Sequence, residues 1–311
     1  DGTWDCIFTT MDCNLDCAFC FSPHTIPRDY QGSQMGSTPA EIAANHERTR
    51  VEGISFSGGE PFLHPEKLFE WVAWFTSRYP DRYYWVYTNG LLASEDRLQH
   101  LAQLGVHEIR FNLAATGYHH PVVLENLSTA ARLFPIVTVE IPAIPDHCDV
   151  LLSSLAGWCA RGVRFLNLHE LFYEPGTNSA SLPGPRQAIV TPDGHRSAIH
   201  PASREVTLAV MRRVQEEGLP LGVNDCSLQS KMRQLRGRRR LLAPLTAERY
   251  EKLVDDHLLV SCCAYRCEDI RFFHADSLAE IRRRHPGYRF ARLARTAPLS
   301  VLSLIHISEP T

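Results

Sequence analysis

Three cysteines near the amino terminus have a spacing that suits metal chemistry. They stand in the segment Cys13-Asn-Leu-Asp-Cys17-Ala-Phe-Cys20, a C-x3-C-x2-C pattern. Thiolates are the usual protein ligands of iron–sulfur clusters, and three of them can each bind a different iron of a four-iron cubane. The fourth iron then has no protein ligand and can bind a small molecule. The pattern therefore indicates a cluster with an open coordination position.

Zinc binding and disulfide formation are alternatives for the same cysteines. A structural zinc site normally has four ligands, so Cys6 or His24 would have to supply the fourth. Disulfides belong to oxidising compartments, and nothing else in the sequence looks secreted. The chain has 10 cysteines, and we expect them to serve metal binding in a reducing cytoplasm.

Size, charge and hydropathy narrow the class of function. The 311 residues can bury a sizeable core, as one large α/β domain or one domain with an appendage. The net charge of −3 argues against a dedicated nucleic-acid binder. No run of 18 or more apolar residues occurs and no signal peptide is apparent, so we expect no membrane span.

One predicted helix is rich in basic residues, which we expect to form a solvated face rather than a nucleic-acid contact. These residues are Lys231, Arg233, Arg236, Arg238, Arg239 and Arg240.

Strands and helices are predicted to alternate through the first half of the chain. The predicted strands cover residues 4–11, 51–57, 83–88, 107–113, 135–141 and 163–169. Six strands that alternate with helices predict a parallel sheet with right-handed crossovers. The fold class is therefore α/β.

The side chains on one face of these strands decide between an open sheet and a barrel. That face is polar, with Ser55, Ser57, Arg110, Asn112, Thr138, Glu140, Asn167 and His169. A sheet covered by helices on both faces would be apolar on both. We therefore predict a partial (β/α)6 TIM-like barrel with a polar lumen, and active residues at the carboxyl ends of its strands. The alternative role of Arg110 and Glu140 is structural, as a charged pair inside the barrel.

Two further motifs follow the cysteines at strand ends. Gly58-Gly59-Glu60-Pro61 follows the second strand, and Thr88-Asn89-Gly90 follows the third. With the cysteine motif, in this order, they resemble the radical S-adenosylmethionine (SAM) superfamily. Within it the chain is most similar to relatives of pyruvate formate-lyase activating enzyme, over residues 5–245. The segments Asn167–Leu171 and Cys226-Ser227 with the arginine-rich helix add to that resemblance.

The resemblance implies cofactors and a reaction. Cys13, Cys17 and Cys20 would ligate a [4Fe-4S] cluster whose open iron chelates SAM. A flavodoxin- or ferredoxin-like donor would supply the electron that cleaves SAM, and the resulting radical would abstract hydrogen from a peptide or small metabolite. A glycyl-radical enzyme activase is an alternative within the class. A structural or sensing iron–sulfur or zinc protein is the non-enzymatic alternative.

The resemblance also implies roles for other residues. Residues expected to contact or support SAM are Phe19, Gly58, Gly59, Glu60, Asn89 and Asn112. The substrate candidates follow instead from position alone, because they lie at the mouth of the sixth strand: His169, Glu170, Tyr173 and Glu174. Of these, His169, Glu170 and Glu174 are the catalytic candidates, and a structural role is the alternative for each. A second set of cysteines comprises Cys226, Cys262, Cys263 and Cys267. These residues could hold an auxiliary cluster, or they could be buried thiols without a metal.

The domain organisation follows from these assignments. Residues 1–200 are expected to form the radical SAM barrel, with a lid loop at 171–200 that is rich in Pro, Gly and Ser. Residues 201–301 are expected to form an α-rich carboxyl-terminal extension. Residues 302–311, LSLIHISEPT, look like the translation of a sequencing adapter and are excluded from fold reasoning.

Overall fold

The computed structural model describes residues 3–20, 38–174, 177–190, 196–246, 252–254, 258–260, 263–266, 288–292 and 301–306. Residues 3–234 form one compact unit, and residues 235–311 belong to a second. The domain limit at residue 200 stays a prediction. No helix within the described ranges has the length and apolar character needed to cross a membrane.

The strands of the first unit are β1 (Trp4–Thr10), β2 (Gly53–Gly58), β3 (Tyr83–Thr88), β4 (Glu108–Phe111), β5 (Ile136–Ala143), β6 (Phe165–Glu170), β7 (Phe172–Tyr173), β8 (Gln187–Val190), β9 (Arg196–Ile199) and β10 (Gly222–Cys226). The helices are α1 (Pro39–Thr49), α2 (Pro65–Arg78), α3 (Glu95–Gln103), α4 (Pro121–Leu133), α5 (Cys148–Ala160), α6 (Ser203–Glu216) and α7 (Leu228–Thr246). Helix α7 begins in the first unit, and its residues from 235 onward belong to the second.

Seven of these strands form one sheet in the order β1-β2-β3-β4-β5-β6-β10, and every neighbouring pair in it is parallel. The α/β class and the six predicted strands are confirmed. The seventh strand pairs with β6, with Cys226 beside His169. Its sequence, Gly222-Val-Asn-Asp-Cys226, has no apolar run.

Local sequence sets the start and end of the helices. The hydroxyl of Thr38 accepts a hydrogen bond from Glu41 N, while the Glu41 carboxylate accepts one from Thr38 N, and Pro39 occupies the first helical position of α1. Gly105 follows α3 with φ of +89°, which only glycine adopts without strain.

The two faces of the sheet differ as predicted. Toward the helices lie side chains that are at most 1% exposed, namely Ile54, Phe56, Ile109, Phe111, Val137, Val139, Leu166 and Leu168. The opposite face carries the polar residues and is called the lumen face below. One face thus supplies the hydrophobic stabilisation of the sheet, and the other is available for chemistry.

The segment predicted as an irregular lid loop contains regular structure. Strands β7, β9 and β8 form an antiparallel sheet in that order. Beneath it lies a small core of buried side chains, namely Ile144, Leu171, Tyr173 and Leu182. The Tyr173 hydroxyl lies 3.3 Å from Pro183 O and 3.2 Å from Pro185 O. Tyr173 therefore packs in this core, and its contact with substrate stays a prediction.

The described strands of the second unit are β11 (Lys252–Val254), β12 (Leu258–Val260), β13 (Cys263–Arg266), β14 (Tyr288–Arg292) and β15 (Val301–His306). Strands β11 and β12 form an antiparallel pair, and β13, β15 and β14 form an antiparallel sheet in that order.

Candidate functional site

The cysteine loop follows the carboxyl end of β1. A turn is closed by the hydrogen bond from Cys20 N to Cys17 O, 2.8 Å. Each of the three cysteines is partly exposed. Burial, together with the nearby thiolates of Cys20 and Cys13, raises the pKa of the Cys17 thiol to about 11. The three sulfur atoms are therefore close enough to interact electrostatically.

The chemistry of this donor set suits an iron–sulfur cluster. Three thiols in mutual electrostatic range become thiolates when a cationic metal centre compensates their charge. In a cubane each thiolate binds a different iron, so the sulfur atoms need not converge on one point. Across the described residues, no three His, Cys, Asp or Glu side chains converge closely enough to hold a single metal ion.

The two glycines of the second motif allow the cysteine loop to pack against the end of β2. Gly59 N donates to Thr10 O at 2.9 Å, and Glu60 N donates to Asp12 O at 2.8 Å. A Cβ atom at Gly58 would lie 1.8 Å from Thr10 O, and one at Gly59 would lie 2.1 Å from Asp12 O. Contact with the cysteine loop thus excludes a side chain at both positions.

Glu60 connects three of these segments from a fully buried position. Its Oε1 accepts hydrogen bonds from Thr88 Oγ1 at 2.9 Å and Phe62 N at 3.1 Å, and its Oε2 accepts one from Asn89 N at 2.7 Å. Burial raises the pKa of this carboxyl to about 6, against the opposing effect of these donors. Asn89 Nδ2 also donates to Asn14 Oδ1 at 2.7 Å. The three sequence motifs therefore meet at the carboxyl ends of β1, β2 and β3.

Two other residues predicted to contact SAM lie near the same edge. Asn112 follows β4 directly, and its Oδ1 accepts from Ala115 N at 3.2 Å, which caps a short turn of 3-10 helix. Phe19 packs between the main core and the small core beneath β7–β9. Its carbonyl accepts from Asn178 Nδ2 at 3.1 Å. The cysteine loop is thus attached to the segment that follows β7, and the roles of both residues toward SAM stay predictions.

The lumen face carries a charged network centred on Arg110. Its guanidinium donates to Glu108 Oε1 at 2.8 Å and Glu140 Oε2 at 3.0 Å, and it lies over the Trp85 ring at 4.8 Å. Tyr87 OH accepts from the same group at 3.2 Å. The pairing of Arg110 with Glu140, which the sequence left as an alternative, is present.

His169 belongs to this network. Its Nε2 lies 2.6 Å from Glu140 Oε1, and Asn167 Nδ2 donates to Glu140 Oε2 at 2.9 Å. Burial opposes ionisation of Glu140, but the partners His169, Arg110 and Asn167 together lower its pKa to about 2. The carboxylate fixes the orientation of the His169 ring at the rim of the lumen, where Cys226 lies beside it on β10.

We predict that Glu140→Gln destabilises the chain by about 3 kcal/mol near neutral pH, because Arg110 and His169 lose their shared counter-charge. Since the folded pKa lies below the ordinary value, this contribution is present above about pH 4.5 and is lost as the pH falls toward 2. Urea unfolding at pH 7 and pH 4 measures it, and the difference between variant and wild type should shrink at pH 4.

The matched control is Glu47→Gln, which removes an exposed ion pair with Arg78 at 3.0 Å and should change stability far less than Glu140→Gln. Equal effects of the two substitutions would contradict a stabilising role for the lumen network.

The other predicted substrate residues have identifiable local roles. Glu170 Oε2 accepts from Leu228 N at 2.7 Å and so caps the start of α7. Glu174 N donates to Asn178 Oδ1 at 2.8 Å. Neither contact places the carboxylate at a reacting atom, and both residues stay catalytic candidates by prediction alone.

The four cysteines of the predicted auxiliary set are only partly described. Cys226 ends β10, and Asn224 Nδ2 lies 3.4 Å from its sulfur. Burial raises the pKa of its thiol to about 11. Cys263 lies in β13, with only its backbone described, and Cys262, Cys267 and also His24 lie outside the described residues. The auxiliary cluster stays a prediction.

Sequence reasoning missed three contributors to the lumen. Glu108 is 4% exposed, and it accepts from Arg110 and also from Tyr83 OH at 2.9 Å. The alternation Tyr83, Trp85, Tyr87 in β3 could have predicted an aromatic stripe on this face. Lys231, expected on a solvated helix face, is only partly exposed and lies over the Phe172 ring at 5.6 Å.

Comparison with known proteins finds a family match in the first half of the chain. Residues 7–149 match the family model of the radical SAM superfamily. The match includes the cysteine loop and strands β1–β5. No curated protein matches the chain significantly.

Solved structures with the same fold include SuiB from Streptococcus suis. Its crystal structure has a TM-score of 0.52 and 11% identity, covering 72% of this chain and 49% of SuiB. The structure of SuiB bound to the precursor peptide SuiA has a TM-score of 0.51 and 11% identity, covering 72% of this chain and 49% of SuiB. The structure of SuiB bound to S-adenosylmethionine has a TM-score of 0.50 and 12% identity, covering 71% of this chain and 46% of SuiB. The chain thus matches about half the length of SuiB, and at this identity the likeness concerns the fold.

Proposed function

We propose that this chain is a radical SAM enzyme that binds a [4Fe-4S] cluster through Cys13, Cys17 and Cys20 and cleaves SAM reductively. One observation carries the proposal. The cysteine loop, the Gly58-Gly59-Glu60-Pro61 loop and Thr88-Asn89-Gly90 meet at one edge of the sheet, within the part of the chain that matches the radical SAM family model.

The chemistry divides between the cofactors and the chain. A [4Fe-4S] cluster held by Cys13, Cys17 and Cys20, together with SAM, would supply the one-electron radical chemistry needed to abstract hydrogen from a substrate. The chain supplies three thiolates on a loop whose backbone is fixed by Gly59 and Glu60. Buried Glu60 joins the ends of β2 and β3 and so holds the loops of this edge in register. The electron would come from a flavodoxin- or ferredoxin-like donor.

The lumen face is where we place the substrate. A radical step needs a substrate carbon held in a fixed position and shielded from competing reactions. The Arg110–Glu140–His169 network forms a rigid, charged wall, and His169 stands at its rim near the carboxyl ends of β6 and β10. We propose a peptide or a small metabolite as substrate, held between this wall and the cysteine loop.

The test is anaerobic reconstitution of the whole chain with iron and sulfide. Iron and zinc are then counted per chain, dithionite and SAM are added, and 5′-deoxyadenosine is quantified by mass spectrometry. We expect about four irons and production of 5′-deoxyadenosine. About eight irons would add the auxiliary cluster. A folded chain that binds zinc and forms no 5′-deoxyadenosine would overturn the proposal in favour of a structural metal protein.

A further inference from the structure

Lys231 occupies an unusual position for a lysine. It lies in the first turns of α7, after Ser227, whose hydroxyl accepts from Ser230 N at 3.3 Å as a helix cap. The positive end of the helix dipole makes this end of a helix unfavourable for a cation. Two residues further along, Arg233 is exposed to solvent, whereas Lys231 is only partly exposed.

The Lys231 ammonium is directed toward the lumen rim rather than into solvent. It lies 5.6 Å from the centre of the Phe172 ring. Cys226, Glu140 and Glu170 are the charged or ionisable groups close enough to influence it, and all three belong to the carboxyl-terminal part of β5, β6 or β10. Burial lowers its pKa, which means that the surroundings disfavour the charge.

The nearby carboxylates do not form an ion pair with this cation. Glu140 uses Oε1 for His169 and Oε2 for Arg110 and Asn167. The Oε2 of Glu170 accepts from Leu228 N at the helix start. Within the described part of the chain, no carboxylate lies within ion-pair distance of Lys231. A partly buried lysine at a helix amino terminus is therefore left without a counter-ion.

We propose that Lys231 binds a carboxylate group of the substrate at the lumen rim. A ligand carboxylate would provide the missing counter-ion, and the Phe172 ring beside the ammonium would cover an apolar group next to that carboxylate. A monoanion fits better than a phosphate, because a second negative charge would meet the fields of Glu140 and Glu170. The inference deepens the proposed function, on which it rests, by naming a carboxylate-bearing substrate.

The test compares two probes of nearly the same shape, N-acetyl-L-alanine with its anionic carboxylate and the corresponding amide with a neutral carboxamide. Binding of each to the reconstituted whole chain is measured by calorimetric titration, for wild type, Lys231→Met, Lys231→Arg and Arg233→Met. We expect wild type, Lys231→Arg and Arg233→Met to bind the acid at least about tenfold more tightly than the amide. Lys231→Met should lose that preference. Circular dichroism and melting temperature verify that each variant is folded.

Three outcomes would overturn the inference: a wild type without preference for the acid, a preference that survives in Lys231→Met, or one that is lost in Arg233→Met. Formation of 5′-deoxyadenosine by the wild type is measured separately. If SAM is cleaved but the acid is not preferred, the inference alone fails. If the acid is preferred in a Lys231-dependent way but SAM is not cleaved, the proposed enzymatic function alone fails.

Discussion

Replacing Cys17 by alanine is expected to reduce cluster iron from about four atoms per chain to well below one, and to abolish formation of 5′-deoxyadenosine. Cys17 stands in the middle of the motif, and its sulfur interacts electrostatically with those of both Cys13 and Cys20. Two remaining thiolates would leave two irons without protein ligands, and such a cluster is lost easily. The measurement is iron content after anaerobic reconstitution and desalting, followed by the SAM cleavage assay.

The controls are cysteines that the structure places in a helix far along the chain. Cys148 and Cys159 in α5 are partly buried and pack against the main core. Alanine at either position should cost at most about 1.5 kcal/mol and leave iron content and SAM cleavage unchanged. Retention of four irons by Cys17→Ala would contradict the proposed ligand set. If the wild type holds eight irons and the triple Cys13/Cys17/Cys20→Ala variant keeps four, the four remaining irons belong to an auxiliary cluster.

The sequence predicted those parts of the site that are encoded locally. Strand periodicity placed Arg110, Glu140, Asn167 and His169 on one face, because side chains alternate along a strand whatever its partners are. The three motifs each follow a strand directly, and the carboxyl ends of parallel strands lie on one edge of the sheet. Their meeting at one edge, confirmed in the structure, therefore follows from parallel topology alone.

Features that depend on distant partners were not predictable in the same way. The role of Glu108 rests on Arg110 on the same strand and on Tyr83 and Thr138 on the neighbouring strands. The short strands β7–β9 have no clear periodicity in a segment rich in Pro, Gly and Ser, and they are stabilised by a core that includes Ile144 from another part of the chain. Lys231 was assigned to solvent because its helix is basic, whereas packing beside Phe172 buries it in part. In all three cases contacts between distant parts of the chain determine the structure, and local sequence composition does not reveal them.

Gly58→Ala is expected to destabilise the chain by more than about 3 kcal/mol and to impair cluster binding, although position 58 carries no ligand. Two independent effects act there. The φ of +137° lies in a region that residues with a side chain rarely adopt, and the new Cβ would lie 1.8 Å from the carbonyl oxygen of Thr10. The cysteine loop would have to move away from β2, which breaks the hydrogen bond from Gly59 N to Thr10 O.

Alanine substitutions at two other glycines distinguish the cost of backbone strain from the cost of steric contact. Gly117 has φ of +74° and open space around its Cβ position, so Gly117→Ala should cost only about 1 kcal/mol. Gly157 lies in α5 with no atom near its Cβ position, so Gly157→Ala should stabilise the chain by about 0.5–1 kcal/mol. Urea unfolding measures all three, and reconstituted iron should fall only in Gly58→Ala. A Gly58 variant no less stable than the Gly117 variant would show that the cysteine loop does not depend on this contact.

If Gly58→Ala is instead the most destabilising of the three substitutions, the glycines of the second motif have a structural role that does not depend on SAM. They allow the end of β2 to approach the loop that carries the three thiols.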